Sequence, residues 1–276
     1  MIAPRSHPSL DVGRALRDGG RAFNRAPVLF VGFALLLTAL QIGLQTLQPS
    51  LPPEALPPWG APKDWEMWVP RLRSITISLG LLIFSSLVSL VVNLWGSCGM
   101  VRAAWVALGG GRPGVLTFIH WDPRALLRLY LPSFVLGGGV VLAVSVLVLL
   151  AAVLGQVTPW LILPPGLAIL AGTLYLSISQ TFLPQVALLH DDHPFDALAQ
   201  GRRVVDPVWP RVTMLLLLNA VLLMAGLCAC GVGLLVAIPL VTCVSTAAYR
   251  QLFGPEDRTG LTRSFLVPGA LSAPRV

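Results

Sequence analysis

The chain carries very little charge, and this scarcity excludes an ordinary soluble domain. Charged residues make up 11% of its 276 residues and hydrophobic residues 55%, with a mean hydropathy of +0.78. Soluble domains carry about 25% charged residues. The stretch from Leu129 to Leu189 contains no Asp, Glu, Lys, Arg or His, and it is long enough for two crossings of a ~30 Å hydrocarbon core at about 20 residues each. The sequence therefore predicts an all-α, polytopic membrane protein without a separate soluble catalytic domain.

Apolar segments of spanning length recur along the whole chain and predict a bundle of six transmembrane helices. The expected spans are about 27–47, 75–100, 130–154, 166–188, 212–228 and 232–249. They form one membrane domain at 26–253, preceded by an amphipathic arm at 1–25 and followed by a polar, partly disordered tail at 254–276. The first apolar run is longer than a signal h-region, so we expect it to be a retained span.

The basic residues are distributed unevenly between the two ends of the predicted spans. The net charge of +7 could indicate nucleic acid in a soluble chain, but here the arginines flank apolar segments, as topology signals do. Of the 19 Lys and Arg residues, three lie on one side: Lys63, Arg71 and Arg73. The positive-inside rule then places both termini in the cytoplasm. A single lysine among so many arginines is typical of a GC-rich bacterial genome, so we expect the bacterial inner membrane and no nucleic-acid partner.

Residues 11–25 have an amphipathic helical pattern. The apolar side carries Val12, Leu16 and Phe23. The basic side carries Arg14, Arg17, Arg21 and Arg25. Such a helix lies in the membrane interface with its arginines toward anionic headgroups. Gly19 and Gly20 weaken the pattern by roughly 1–2 kcal/mol, so a basic arm of partial helicity is an equally good interpretation. Four later arginines are also predicted to contact anionic lipid: Arg124, Arg128, Arg202 and Arg203.

Polar residues inside the predicted spans are few, and they are candidates for the lining of a polar cavity. The set consists of Gln41, Gln45, Asn93, Gln180 and Asn219. The glutamines at 41, 45 and 48 recur along one helical face. Because a polar stripe in lipid turns toward other helices, interhelical hydrogen bonding is the favoured interpretation, and a cavity lining is the alternative.

One loop contains a dense group of metal-type ligands: His190, Asp191, Asp192 and His193. Consecutive ligands rarely converge on one ion, so a polar turn with an aspartate capping the next helix is the favoured interpretation. We expect no metal, no cofactor and no enzymatic activity, because the chain has no Ser-His-Asp order, no His-Glu-x-x-His motif and no phosphate-binding glycine loop in its usual context.

A spaced pattern of small, aromatic and apolar residues runs through 195–253. It reads Ala197-Leu198, Val204-Val205, Trp209, Gly233, Pro239 and Ala247-Ala-Tyr249-Arg250. The pattern resembles that of uncharacterised bacterial six-span membrane proteins related to the membrane domain of some glycerophosphoryl diester phosphodiesterases. It departs from theirs at Gly201, where Ser is usual, and at Pro207. The resemblance implies a six-span fold, and it carries over no catalytic residue.

The chain also contains three similar units, each predicted to be an amphipathic helix followed by a hairpin of two spans. They begin at Asp11, Asp122 and Asp196. Parallel repeats of this kind occur in several transport folds, although hairpins that obey the same membrane rules can also look alike.

The predicted spans contain no charged residue. Coupled carriers and intramembrane hydrolases generally place ionisable groups in the membrane, where they are costly. Their absence favours a non-catalytic scaffold, assembly or regulatory subunit that binds lipid or protein. The expected partners are membrane lipids with anionic headgroups and another membrane protein. The alternative is an uncoupled transporter or lipid-handling permease.

Overall fold

The structure is a computed structural model that describes residues 10–46, 68–121, 123–157, 160, 163–179, 181–189, 205–229 and 231–254. Every regular element in these ranges is helical: α1 (Val12–Asn24), α2 (Pro27–Thr46), α3 (Trp68–Leu108), α4 (Val115–Ile119), α5 (Pro123–Val157), α6 (Leu163–Ser179), α7 (Leu183–Leu189), a 3₁₀ turn (Asp206–Val208), α8 (Trp209–Cys228) and α9 (Leu234–Phe253). Five of them, namely α2, α3, α5, α8 and α9, are long and apolar enough to cross a membrane. The prediction of an all-helical fold with several helices that could cross a membrane is confirmed for the described residues.

Two of the predicted spans lie inside longer helices. The helix α3 has 41 residues and α5 has 35, so each extends beyond the span predicted within it. As the glycine run at 109–111 predicts, α3 ends at Leu108, and Gly110 adopts a φ of +98° that favours glycine. Because α5 starts directly at Pro123, the second repeat unit has no separate amphipathic helix. The third unit begins outside the described residues, and the three-unit repeat stays a prediction.

The predicted span at 166–188 differs from the structure. There α6 ends at Ser179, residues 181–182 form a turn, and α7 begins at Leu183. Pro184 explains the break, because proline is tolerated in the first turn of a helix but removes a hydrogen bond from a helix interior. The 17 residues of α6 extend about 25 Å, less than the ~30 Å hydrocarbon core. Six spans therefore stay a prediction, while five helices meet the length requirement.

The buried core is concentrated at one end of the bundle, which we call the α1 end. The core there is shared by α1, the first turns of α2 and α8, the last turns of α3 and α9, and α7. Its largest fully buried side chains include Phe30, Phe118, Phe182 and Tyr249. Toward the other end, large apolar side chains of α2, α5 and α6 are exposed, as expected for surfaces that face lipid.

The helix α1 packs against α9 through its small residues. Its buried positions are Ala15, Gly19, Ala22 and Phe23. Gly19 is the closest point, because a Cβ atom there would lie 2.6 Å from the Cα atom of Val244. The glycine that weakens the helical pattern in the sequence thus permits the contact that holds α1 to the bundle. The apolar side of α1 faces protein, whereas its arginines at 14, 17, 21 and 25 are exposed.

One charged residue is buried within the long helix α3. The side chain of Arg102 is fully buried, and its guanidinium donates to the carbonyl oxygens of Thr117 and His120, at 3.4 and 3.0 Å. These carbonyls belong to the C-terminal end of α4, where a cation is favoured. The expectation of charge-free spans therefore holds for the predicted limits at 75–100 but not for α3, which continues past them.

Candidate functional site

A cavity at the α1 end is lined by arginines. We call it the arginine pocket, and its volume is about 430 Å³. It lies where the C-terminal half of α1 meets the last turns of α3 and α9. Its lining consists of Asp18, Arg21, Ala22, Arg25, Ala107, Leu108, Ala247, Arg250 and Gln251.

Two of the arginines hold the end of α3. The guanidinium of Arg25 donates to the carbonyl oxygen of Ala107, and that of Arg250 donates to the carbonyl oxygen of Leu108 at 2.7 Å. The last carbonyls of a helix lack partners within the helix and carry partial negative charge, so arginines are favoured there. Arg250 also lies over the ring of Trp105, with its Cζ atom 5.7 Å from the ring centroid. Both guanidinium groups are thereby positioned on the wall of the pocket.

The third arginine is much freer. The side chain of Arg21 is 78% exposed, and it forms an i, i+3 ion pair with Asp18 at 3.5 Å. An exposed pair of this kind contributes little to stability, about 0–1 kcal/mol. Three guanidinium groups thus face one carboxylate in the pocket. Since each guanidinium has five N–H donors, Arg25 and Arg250 retain donors after bonding to α3.

Gln251 adds a neutral donor to the same wall. Its Oε1 atom accepts a hydrogen bond from the backbone N–H of Asp11 at 2.9 Å. Its Nε2 atom is buried and has no acceptor among the described residues. A buried donor without an acceptor is costly, so an acceptor-bearing ligand in the pocket would complete the hydrogen bonding of this amide.

The start of α1 is fixed by Asp11. The backbone N–H of Arg14 donates to Asp11 Oδ1 at 3.0 Å, and this hydrogen bond is the main cause that lowers the pKa of the carboxyl group below its ordinary value. The carboxylate therefore caps α1 at neutral pH. Together with the bond from Asp11 to Gln251, the cap ties α1 to the end of α9.

The structure separates the arginines that the sequence groups together. Of the four arginines on the basic side of the arm, Arg21 and Arg25 line the pocket, while Arg14 and Arg17 lie on the exposed side of α1 outside it. Two others, Arg124 and Arg128, lie in the first turns of α5. The predicted contacts Arg202 and Arg203 lie outside the described residues.

The predicted polar residues are also divided. Gln41 donates to the carbonyl oxygen of Ser89 at 3.1 Å and joins α2 to α3, which agrees with interhelical hydrogen bonding. Gln45 is exposed near the end of α2. Asn93 lines a smaller cavity, and Asn219 reaches one of that cavity's serines through a hydrogen bond. Gln180 lies outside the described residues.

The sequence does not mark Arg250 as a residue of the arginine pocket, and it does not mark Gln185, which lines the smaller cavity beside Asn93. The sequence puts Arg25 on the basic side of the arm and Arg250 in the C-terminal pattern, but no sequence signal joins residues so far apart in the chain.

The group at 190–193 lies outside the described residues, and among those described no three potential ligands meet to hold a metal ion. Comparisons with family models, curated proteins and solved structures find no match to this chain.

Proposed function

We propose that the chain is a non-catalytic, multi-pass protein of the bacterial inner membrane that binds an anionic phospholipid headgroup in the arginine pocket. In this role it would serve as a scaffold, assembly or regulatory subunit. The observation that carries the proposal is the convergence of Arg21, Arg25 and Arg250 on one cavity. Guanidinium forks match the geometry of phosphate oxygens and bind them through charge-assisted hydrogen bonds.

The location of the pocket favours a lipid over a soluble anion. It lies at the ends of α3 and α9, both of which are candidate membrane spans, and therefore at the level expected for headgroups. Its volume of about 430 Å³ falls within the ~300–1,000 Å³ range of small-molecule sites. The positive-inside rule assigns this arginine-rich end to the cytoplasmic face, where anionic lipids attract basic groups by about 1 kcal/mol for each Lys or Arg.

A purely structural role for the arginines is the competing interpretation. Arg25 and Arg250 hold the end of α3, and both would be needed for that purpose without any ligand. Arg21 distinguishes the two interpretations, because its ion pair joins it only to the carboxylate of Asp18 on its own helix. Replacing Arg21 should leave the fold intact and should weaken lipid binding only if the pocket is a binding site.

Native mass spectrometry of the detergent-purified protein tests the proposal. Phosphatidylglycerol and phosphatidylcholine are titrated separately onto the wild type, Arg21→Gln and the control Arg14→Gln. In detergent there is no extended charged surface, so only lipids held by defined sites are retained. We expect the wild type to retain phosphatidylglycerol in preference to phosphatidylcholine. The affinity for phosphatidylglycerol should fall about fivefold in Arg21→Gln, equivalent to ~1 kcal/mol, and should change less than about twofold in Arg14→Gln.

The control arginine makes the result decisive. Arg14 carries the same charge on the same helix and lies outside the pocket. Equal losses in the two variants would mean that α1 acts only as a dispersed basic surface. Equal retention of the two lipids by the wild type would likewise overturn the proposed site.

An uncoupled transporter or lipid-handling permease is the second candidate. One observation favours it, namely the cavity beside Asn93, which is lined by polar groups within the spans. A transporter carries its substrate across the membrane. Substrate uptake into proteoliposomes that contain the protein should therefore exceed uptake into empty vesicles, and it should fall in the Asn93→Leu variant. Uptake equal to that of empty vesicles would remove this candidate and leave the proposed lipid-binding role unaffected.

A further inference from the structure

A second cavity lies within the apolar helices. It occupies about 190 Å³ between α3, α7 and α9, with Leu37 of α2 in its wall. Its polar lining consists of Asn93, Ser97, Thr181, Gln185, Thr242 and Ser245. None of the described lining residues is charged, so any occupant is recognised by hydrogen bonds and shape.

Two lining hydroxyls present acceptors to the cavity. Ser97 Oγ donates to the carbonyl oxygen of Asn93 at 2.9 Å, and Thr242 Oγ1 donates to that of Ile238 at 3.0 Å. Each hydroxyl has one proton and two lone pairs. Thr242 Oγ1 also lies 4.0 Å from Met100 Sδ across the cavity wall, as a second possible acceptor of its proton. In these hydrogen bonds both hydroxyls act as donors, so each oxygen keeps lone pairs that can accept a hydrogen bond from a ligand.

Gln185 is the strongest indication that something binds. This side chain is 3% exposed, and its Oε1 atom has no donor among the described residues. Asn219 lies just behind the cavity wall, where its Nδ2 atom donates to Ser245 Oγ at 3.1 Å, and its Oδ1 atom is likewise buried without a described donor. Buried acceptors without donors are rare and costly.

We propose that this cavity binds a small neutral polyol group, which donates hydroxyl protons to Gln185, Ser97 and Thr242. The polyol group is either a free molecule or the uncharged headgroup of a lipid. An anion has no proton to donate and would leave the Oε1 acceptor of Gln185 unsatisfied, and a cation would be buried without a counter-charge among the described lining residues, which is costly in a membrane. This site is separate from the arginine pocket, and neither proposal depends on the other.

The volume of the cavity suits a small ligand. At about 30 Å³ for each water molecule in the liquid, 190 Å³ holds about six waters. A three-carbon polyol has a similar number of non-hydrogen atoms, whereas a six-carbon polyol has twice as many. Asn93 and Ile238 are exposed at the edge of the cavity, so the ligand can enter from the surface of the bundle.

A scintillation proximity assay on the full-length protein in nanodiscs tests the proposal. Tritiated glycerol probes a free polyol, and tritiated dioctanoylglycerol probes an uncharged lipid headgroup. We expect saturable binding of one of them, competed by unlabelled glycerol or dioctanoylglycerol respectively but not by sorbitol. Gln185→Met and Thr242→Val preserve side-chain volume, and each should weaken binding about tenfold, equivalent to about 1.4 kcal/mol.

The control variant is Gln45→Met, which changes an exposed glutamine outside the cavity and should bind like the wild type. Thermal melts of all variants establish that they are folded. Binding of glycerol alone identifies a free polyol, and binding of dioctanoylglycerol alone identifies a lipid headgroup. Any of three results would overturn the assignment. These are the absence of saturable binding of both probes, equal binding by Gln185→Met and the wild type, and saturable binding of ²²Na⁺ that Gln185→Met abolishes.

Discussion

Substituting alanine at two adjacent glycines of α1 should change stability in opposite directions. A methyl group added at Gly20 would have no atom within 4 Å, whereas one added at Gly19 would lie 2.6 and 2.7 Å from the Cα and N atoms of Val244. Gly20→Ala therefore gains only helix propensity, about 0.5–1 kcal/mol. Gly19→Ala gains the same propensity but forces a methyl group against the backbone of α9, which cannot rotate away.

The cost at Gly19 follows from the distance. To restore an ordinary contact of about 3.4 Å from 2.6 Å, α1 must move outward by about 0.8 Å. A gap of 0.5–1 Å forfeits about a quarter to a half of the dispersion energy of the neighbouring contacts, here those of Ala15, Ala22 and Phe23. Overpacking typically costs about 1–3 kcal/mol, so Gly19→Ala should be destabilising despite its gain in propensity.

Thermal unfolding in detergent, monitored by tryptophan fluorescence, gives the sign of each change, and hydrogen exchange over residues 12–24 shows whether α1 has loosened. We expect Gly20→Ala to raise the melting temperature, and Gly19→Ala to lower it and to accelerate exchange in α1. Equal stabilisation by the two substitutions would show that α1 does not pack closely against α9 at Gly19.

Three further substitutions test other parts of the structure. Phe30→Ala removes a fully buried ring and should lower the free energy of unfolding, measured by chemical denaturation, by about 3–5 kcal/mol. Val28→Ala, at an 81% exposed position, should leave it nearly unchanged. Similar losses of unfolding free energy in the two variants would place the core elsewhere. Asp11→Ala should lower the melting temperature at pH 6. The hydrogen bond lowers the pKa of this carboxyl in the folded protein. The stability that the cap contributes is therefore present above the ordinary pKa and is lost as the pH falls through the folded pKa. The difference in melting temperature between Asp11→Ala and the wild type should vanish in acid, and a difference that persists there would contradict the cap. Gly226→Ala places a methyl group 3.0 Å from the backbone of Gly233, just before α9, and should destabilise the protein, while Gly43→Ala meets open space and should not. Equal melting temperatures of the two variants would contradict the close packing of α8 against the start of α9.

Sequence patterns predict the membrane helices well because apolar length is a local property. The start of α2 follows from the change in polarity at Pro27, and the end of α3 follows from its glycine run. The break before α7 is not predicted although Pro184 marks it, because the uncharged stretch gives no other sign that two helices replace one. Propensity and hydropathy together cannot show whether a proline lies in a first turn or in a helix interior.

The candidate sites could be predicted only in part, because they depend on contacts between distant segments. The sequence marks Arg21 as one of several exposed arginines, but its placement beside Arg250 follows from the packing of α1 on α9. Gly19 illustrates the same difficulty, since a glycine that weakens an isolated helix is the residue that lets this helix dock. Gln185 carries no sequence signal, because an uncharged side chain in an apolar stretch shows neither its burial nor its missing donor.

The most direct test of the arginine pocket is a substitution that should improve binding. Asp18 contributes the pocket's only described carboxylate, 3.5 Å from Arg21, so Asp18→Asn removes a negative charge that repels an anionic headgroup while preserving the size of the side chain. Phosphatidylglycerol affinity, measured by native mass spectrometry, should rise about two- to fivefold, equivalent to ~0.5–1 kcal/mol. A folding defect would not produce such a gain. Unchanged or weaker binding would contradict the proposed headgroup site, because the carboxylate of Asp18 would then not oppose an anion in the pocket.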